Sequence, residues 1–317
     1  MVANKTSGLG DNFYVGGYDL SGDIASVDTI SGAIALLDVT TLTQKGHSRL
    51  YGQRDGQISA TSFFEVTPTI TTPGVPLTTV PVTNTTGFPI KVTITGGTIT
   101  NVLVNSVSVG TTAGTYSVPI SGTISITYSS APTWNWFALG TVQNALANMP
   151  SADVVVSYLQ GNALGNPSAC MIAKESSYAP NRDNTGNLTI KADWAANAFG
   201  VEWGRQVTAG LRTDNGPTTG AFYDQGAGTA FGCQAYLQIV ELVGTNIDIT
   251  VTHATTSGGS YTTLLDFGSQ TAIGGYRVQT ANTATVNEFL KIVSAGTFTQ
   301  AIFAVTFVQN LTAGVSF

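Results

Sequence analysis

Between Pro89 and Ser130 the chain alternates β-branched and polar residues almost without a break: PIKVTITGGTITNVLVNSVSVGTTAGTYSVPISGTISITYSS. A side-chain period of two belongs to a pleated strand with one buried and one wet face, and no helix can satisfy it. Turn signals at Gly96-Gly97, Gly110, Gly114 and Gly122 cut the run into short strands. The same alternation appears elsewhere. Ile58, Ala60 and Ser62 alternate with Ser59, Thr61 and Phe63; Ile247, Ile249 and Val251 alternate with Asp248, Thr250 and Thr252; Phe303, Val305 and Phe307 repeat the pattern near the end. The expected fold class is all-β. One helix is expected within it, because Phe137, Leu139, Val142, Ala145, Leu146 and Met149 fit a single helical face before Pro150 stops it.

Composition divides the chain. From Val66 to Pro132 the only charged residue is Lys91, and the stretch holds seven of the eleven prolines. Residues 66–132 therefore read as an inserted, small Ig-like β module behind a Pro-rich extended connector, TPTITTPGVPLTTVP. Residues 1–65 and 133–216 are the more charged flanks on either side of this module. The Gly-rich stretch 212–228 leads into 217–317, where strands at intervals of roughly ten residues predict a C-terminal β-sandwich. Within the first flank, 11–38 reads as three short strands separated at the Ser21-Gly22 and Ser31-Gly32 pairs. DVVVSYL, GNLTIKADWAA and GVEWGRQVTAG read as further strands.

Charge limits what such a chain can do. A formal charge of −6 in 317 residues argues against tight nucleic-acid binding, which needs clustered Lys and Arg. So few charges on an isolated monomer also leave it poorly soluble. Two readings follow: a subunit that buries much of its surface against copies of itself, or a weakly charged extracellular β protein. The first seventeen residues carry no apolar run of signal-peptide length, and no segment approaches the roughly 20 apolar residues of a membrane span. Cys170 and Cys233 are too few for a disulfide scaffold and are expected to be small buried residues.

Catalytic patterns are missing. His47 and His253 lie far apart without Cys or carboxylate at ligand spacing, and neither adjoins a nucleophile elbow. GAGTAFG, 226–232, neither follows a strand nor opens a helix, so it is a turn and not a dinucleotide loop. Asp153, Glu175, Asp193 and Glu202 could supply a glycosidase pair, but solvated or ion-paired acids are the plainer reading. Trp134, Trp136 and Phe137 could stack on sugars, though packing in a core is favoured. The chain is expected not to be an enzyme and to need no cofactor or metal.

One feature is out of keeping with the rest. In TTLTQKGHSRLYGQRDG, 40–56, Lys45, Arg49 and Arg54 with His47 crowd into ten residues, ahead of an Asp55-Gly56 turn signal. Five acids, Asp11, Asp19, Asp23, Asp28 and Asp38, precede them. The plain reading is a hairpin loop kept hydrated by its cations.

The segment LLDVTTLTQKGHSRLYGQRDGQISATSFFE, 36–65, resembles the signature region of major tail (tail tube) proteins of long flexible-tailed bacteriophages. GDNFYVGGYDLSGDIASVD and GNLTIKADWAANAFGVEWG are similar to that family as well, so the likeness covers 1–65 and about 133–212. It implies a tail-tube-like β-sandwich core with one helix, carrying the module and the C-terminal sandwich outside. It implies hexameric rings stacked into a hollow tube through which double-stranded DNA passes without specific binding. Partners would be copies of the chain, a tape measure protein, and tail terminator or baseplate proteins. The protein would reside in the virion tail after assembly in the host cytoplasm, with weak cell-surface glycan contact by the outer domains and no membrane insertion. In that family the loop reaches a neighbour, which here implies that Lys45, His47, Arg49, Tyr51 and Arg54 dock on acids of another copy. The five Asp are the candidate acceptors, and complementary charge would set register. The conduit's inner wall would be net negative. Alternatives are a capsid decoration or minor tail protein, and a glycan-binding extracellular β protein.

Overall fold

The computed structural model describes residues 8, 10–63, 70–87, 90–119, 121–138, 146–147 and 152–313. All its sheets are antiparallel. The first strands are β1 (Asn12–Val15), β2 (Tyr18–Asp19), β3 (Ile24–Asp38) and β4 (Arg49–Phe63). Next come β5 (Val82–Thr83), β6 (Ile90–Thr95), β7 (Thr98–Val104), β8 (Val107–Gly110), β9 (Gly114–Val118), β10 (Thr123–Ser130) and β11 (Thr133–Ala138). The remainder are β12 (Val154–Leu159), β13 (Pro167–Arg182), β14 (Leu188–Ala196), β15 (Glu202–Gln206) and β16 (Arg212–Asp214), followed by β17 (Thr218–Asp224), β18 (Cys233–Ala254), β19 (Thr262–Gln270), β20 (Gly274–Gln279) and β21 (Phe289–Gln309).

The middle strands form a small sandwich. One sheet runs β5-β10-β7-β8 and the other β11-β6-β9. The alternation read from the sequence sends Ile90, Val92 and Ile94 inward against Val102, Val104, Ile124 and Ile126. Each such side chain contributes roughly 1.5–3 kcal/mol when fully buried. The Pro-rich connector packs on this sandwich: Trp134 Nε1 donates to Pro73 O at 2.7 Å and Tyr128 OH to Pro76 O at 2.8 Å.

All other strands join one 14-stranded sheet along the path β19-β18-β21-β15-β13-β12-β1-β2. From it, β14 bridges β13 to β4, and among the described residues β3 pairs only with β4. Two cores lie against this sheet. Ile247, Ile249, Val251, Phe303, Val305 and Phe307 build one. Phe13, Ile58, Met171, Ile190 and Trp194 build the other, with Phe13 and Trp194 ring centroids 5.4 Å apart. Cys170 and Cys233 are buried free thiols, and burial pushes both up to about 12.

Several expectations need correction. Ser31-Gly32 is not a turn: β3 runs through it, with Gly32 opposite Gly56. Asp55-Gly56 is likewise mid-strand in β4, and the reversal lies at 39–48 instead. Gly56 is needed there for space, since a Cβ would sit 2.7 Å from Val201 N. Phe137 belongs to β11, which pairs with β6, and not to a helical face. The rest of the expected helix, 139–149, lies outside the described residues except Leu146 and Ala147; Leu146 is helical and buried in the core that also holds Trp194. The hydrogen bonding also crosses the 216/217 boundary, because β21 pairs with β15 and β16 as well as with β17 and β18. Strand spacing announces how many strands exist and says nothing about which sheet each one joins.

Candidate functional site: a two-stranded arm

The basic stretch is half loop and half strand. Lys45 and His47 sit in the reversal; Arg49, Tyr51 and Arg54 sit on β4. β4 pairs with β14 only from Gln57 to Phe63, so from Gly56 back to Arg49 its one strand partner among the described residues is β3. That leaves a two-stranded ribbon with both edges open. At about 3.3 Å per residue, the ribbon beyond Gly56 extends roughly 25 Å before the reversal.

Register assigns its faces. Cross-strand partners share a face, and successive pairs alternate. Leu36 opposes Tyr51 and Asp38 opposes Arg49, which places these four on one face; Leu37 opposes Leu50 on the other. Ile34 opposes Arg54 beyond a register shift between Ile34 and Leu36. Such a bulge bends and twists a ribbon. Both faces therefore carry exposed apolar side chains: Leu36 is 56% exposed, Leu50 57%, Tyr51 80%, and Leu42 at the tip is fully exposed. An isolated two-stranded hairpin is marginal in water, and a long apolar ribbon with open edges invites pairing.

The tip is ordered by its own polar groups. Asp38 Oδ1 accepts from the hydroxyl and the backbone N–H of Thr40, and Asp38 Oδ2 lies 2.9 Å from His47 Nδ1. Bonds from Thr40, then His47, hold the Asp38 carboxyl below the usual carboxylate range. Ser48 N donates to Thr40 Oγ1 at 2.9 Å, and Thr41 N to Gln44 Oε1 at 3.0 Å. Lys45, Arg49 and Arg54 make no ion pair among the described residues.

The five acids do not form one patch. Asp11 accepts from Tyr158 OH and from Gly161 N, which ties it to the β12 end. Asp19 caps Ser21. Asp28 bonds Ser26 and Thr61 at the arm's base, roughly 30 Å along β3 from Asp38. Asp23 precedes β3, where its carbonyl accepts from Phe63 N. Asp38 is engaged by the His47 of its own loop.

The arm's root is held firmly. Val201 packs against Gly56, and the adjoining Phe199 lies under the Arg277 guanidinium, 3.7 Å from ring centroid to Cζ. Arg277 in turn grips the buried Glu202 through Nε at 2.9 Å and Nη2 at 3.1 Å. Gln234 and Tyr236 also donate to Glu202, and burial pushes the Tyr236 hydroxyl up. An open cleft of about 1060 Å³ lies between root and sheet, lined by Ile34, Tyr51, Arg54, Asp55, Phe199 and Glu202. The sequence reading found the cations but missed the arm's leucines. Their signal was available in GAIALLDV, where Leu36 and Leu37 are consecutive and break the alternation of a strand with one wet face.

Of the other candidate residues, Glu202 is the buried partner of Arg277, and Asp153 pairs with Lys174 at 2.8 Å. Asp193 accepts from Ser59 Oγ, and Glu175 is buried with no hydrogen-bond partner among the described residues. These four are not assembled as a carboxylate pair by any contact among the described residues. Trp134 and Trp136 are core residues packed edge to face, 5.5 Å between centroids, so they offer no sugar platform.

No family model and no curated protein matches the chain. Among solved structures it is similar to the Dit (gp 19.1) protein of SPP1, described as a paradigm of hub adsorption apparatus in Gram-positive infecting phages. That overlay spans 94% of this chain and 99% of the other, at 8% identity and a TM-score of 0.27. So low a score carries no functional weight.

Proposed function

We propose that this chain is a structural virion protein, the repeating subunit of a phage tail tube, and that it assembles by seating its β3–β4 arm on a neighbouring copy. The carrying observation is the arm itself, with leucines on both faces, open edges and a firmly held root. A monomer gains nothing from exposing such a ribbon, whereas a subunit in a ring covers both its faces and its edges at once. Lys45, Arg49 and Arg54, in no ion pair among the described residues, supply charges that set the register of that contact. Low overall charge and the family likeness of 36–65 favour the tube over other assemblies. In this reading copies form hexameric rings, stack into a conduit for double-stranded DNA, and end on terminator or baseplate proteins. The role is structural and not catalytic.

Negative-stain electron microscopy of the purified chain tests it, beside a variant in which 34–54 is replaced by a short Asn-Gly turn. Rings or tubes from the parent, and dispersed folded particles from the variant, are the expected outcome. A variant that polymerises like its parent sinks the arm as the assembly element. A parent that stays monomeric or trimeric even when concentrated moves the reading to a decoration or minor tail protein.

A further inference from the structure

Three of the four tryptophans are core residues, and the fourth is not: Trp203, the second residue of β15, is 53% exposed. β15 is paired to β13 on one side and β21 on the other, so the indole stands on a rigid sheet. Gly204 keeps the backbone close, since a Cβ there would sit 2.5 Å from Phe307 O. Trp203 lines a groove of about 520 Å³ together with Arg205, Tyr223, Gln225, Gln309 and Leu311. That size falls in the range of small-ligand sites, roughly 300–1,000 Å³.

The polar groups are pre-set. Gln225 Nε2 donates to Asn287 O at 2.7 Å and Gln309 Nε2 to Ala227 O at 2.8 Å. With both amide nitrogens held, each carboxamide presents its oxygen as a fixed acceptor, and neither oxygen is bonded among the described residues. Arg205 leans on Gly165 O through Nη1 at 3.4 Å, makes no ion pair among the described residues, and is the groove's only charged lining residue.

We infer that this groove is a saccharide subsite for a sugar carrying an anionic group. The electron-rich indole face suits the polarised C–H face of a pyranose ring. The two fixed carbonyls accept from ring hydroxyls, at little ordering cost. The guanidinium, in no ion pair among the described residues, selects a carboxylate or phosphate substituent. A purely protein-docking patch would not need two amides fixed as acceptors around one exposed indole. The inference does not depend on the arm.

The test is titration of the full chain with tetragalacturonate, glucose 6-phosphate and neutral maltotetraose, followed by tryptophan fluorescence and calorimetry. Trp203 is the one tryptophan that solvent reaches freely, so its emission reports occupancy. Binding of either acidic probe ahead of maltotetraose is expected, and which one binds separates carboxylate from phosphate. Trp203→Ala should weaken it by about tenfold or more, the size of one stacked aromatic contact. Arg205→Gln should erase the preference for the acidic probes over the neutral one. Removal of the arm should leave all three affinities as they were. No response to any probe up to about 10 mM, where even feeble sites fill, overturns the inference. So does a Trp203→Ala variant that binds normally, or one whose change is in self-association instead of sugar binding.

Discussion

Two pairs of long antiparallel strands in this molecule share a local design and differ in everything around them. β18 and β21, of 22 and 21 residues, pair along nearly their whole length; so do β3 and β4, of 15 residues each. The first pair is flanked on both edges by β15, β16, β17, β19 and β20, and its inward side chains make the larger core. The second pair loses its only flanking strand at Gly56 and then carries leucines into solvent on both faces. Strand pairing alone does not stabilise a ribbon; burial of its faces and occupation of its edges do. The first pair finds both within one chain, and the second must find them outside it.

The contrast can be broken hardest in the core. Phe303→Ala in β21 removes a fully buried ring and should cost about 3–5 kcal/mol, read from a chemical melt. Arg277→Met should cost a comparable amount, about 3–5 kcal/mol, because it leaves Glu202 charged and buried without its cation. Its melt should also loosen the arm's root, because Phe199 loses the guanidinium above it.

Glu175 gives a pH-dependent version. Burial, with no hydrogen-bond partner among the described residues, pushes its carboxyl up to about 7 from 4.5. The folded form then holds its proton more tightly than the unfolded chain does. Stability is therefore full below the unfolded value and falls as pH rises from there through about 7. At about 1.4 kcal/mol per unit the loss is a few kcal/mol at most. Glu175→Gln should flatten that slope and stabilise the protein at pH 8. An unchanged slope would show that Glu175 is solvated or paired in solution.

Gly56→Ala pushes a methyl into Val201 where the arm leaves the sheet. A loss of about 1–3 kcal/mol is expected, together with impaired assembly, since the arm's direction is set there. The smallest effect belongs to the arm itself. Leu36→Ser with Leu50→Ser should change monomer stability by less than about 0.5 kcal/mol, yet reduce assembly strongly. A large fall in monomer melting temperature would mean that these leucines are already covered within one copy.

Much of this was legible in the residues, for a physical reason. Strict alternation in 89–130 and at Ile247–Val251 and Phe303–Phe307 reports one buried face per strand, and those strands are where the pattern put them. β12, β14 and β15 were equally plain. Turn chemistry misled at Ser31-Gly32 and Asp55-Gly56, because a glycine required by a close approach looks the same as one required by a turn. Sheet membership was hidden, since β15 meets β21 about 100 residues away in sequence and nothing in a short window encodes a partner so distant. The cluster of cations was visible. That it rides on an apolar ribbon could be read only once the register of β3 on β4 was known.

Amide hydrogen exchange on the dispersed chain and on the assembled particle tests the central claim most directly. Amides of the β18–β21 pair should be protected in both states, while those of 31–56 should exchange fast in the dispersed chain and slow by orders of magnitude on assembly. Assembled particles whose 31–56 amides still exchange as fast as in the free chain would contradict the arm's role as the contact between copies.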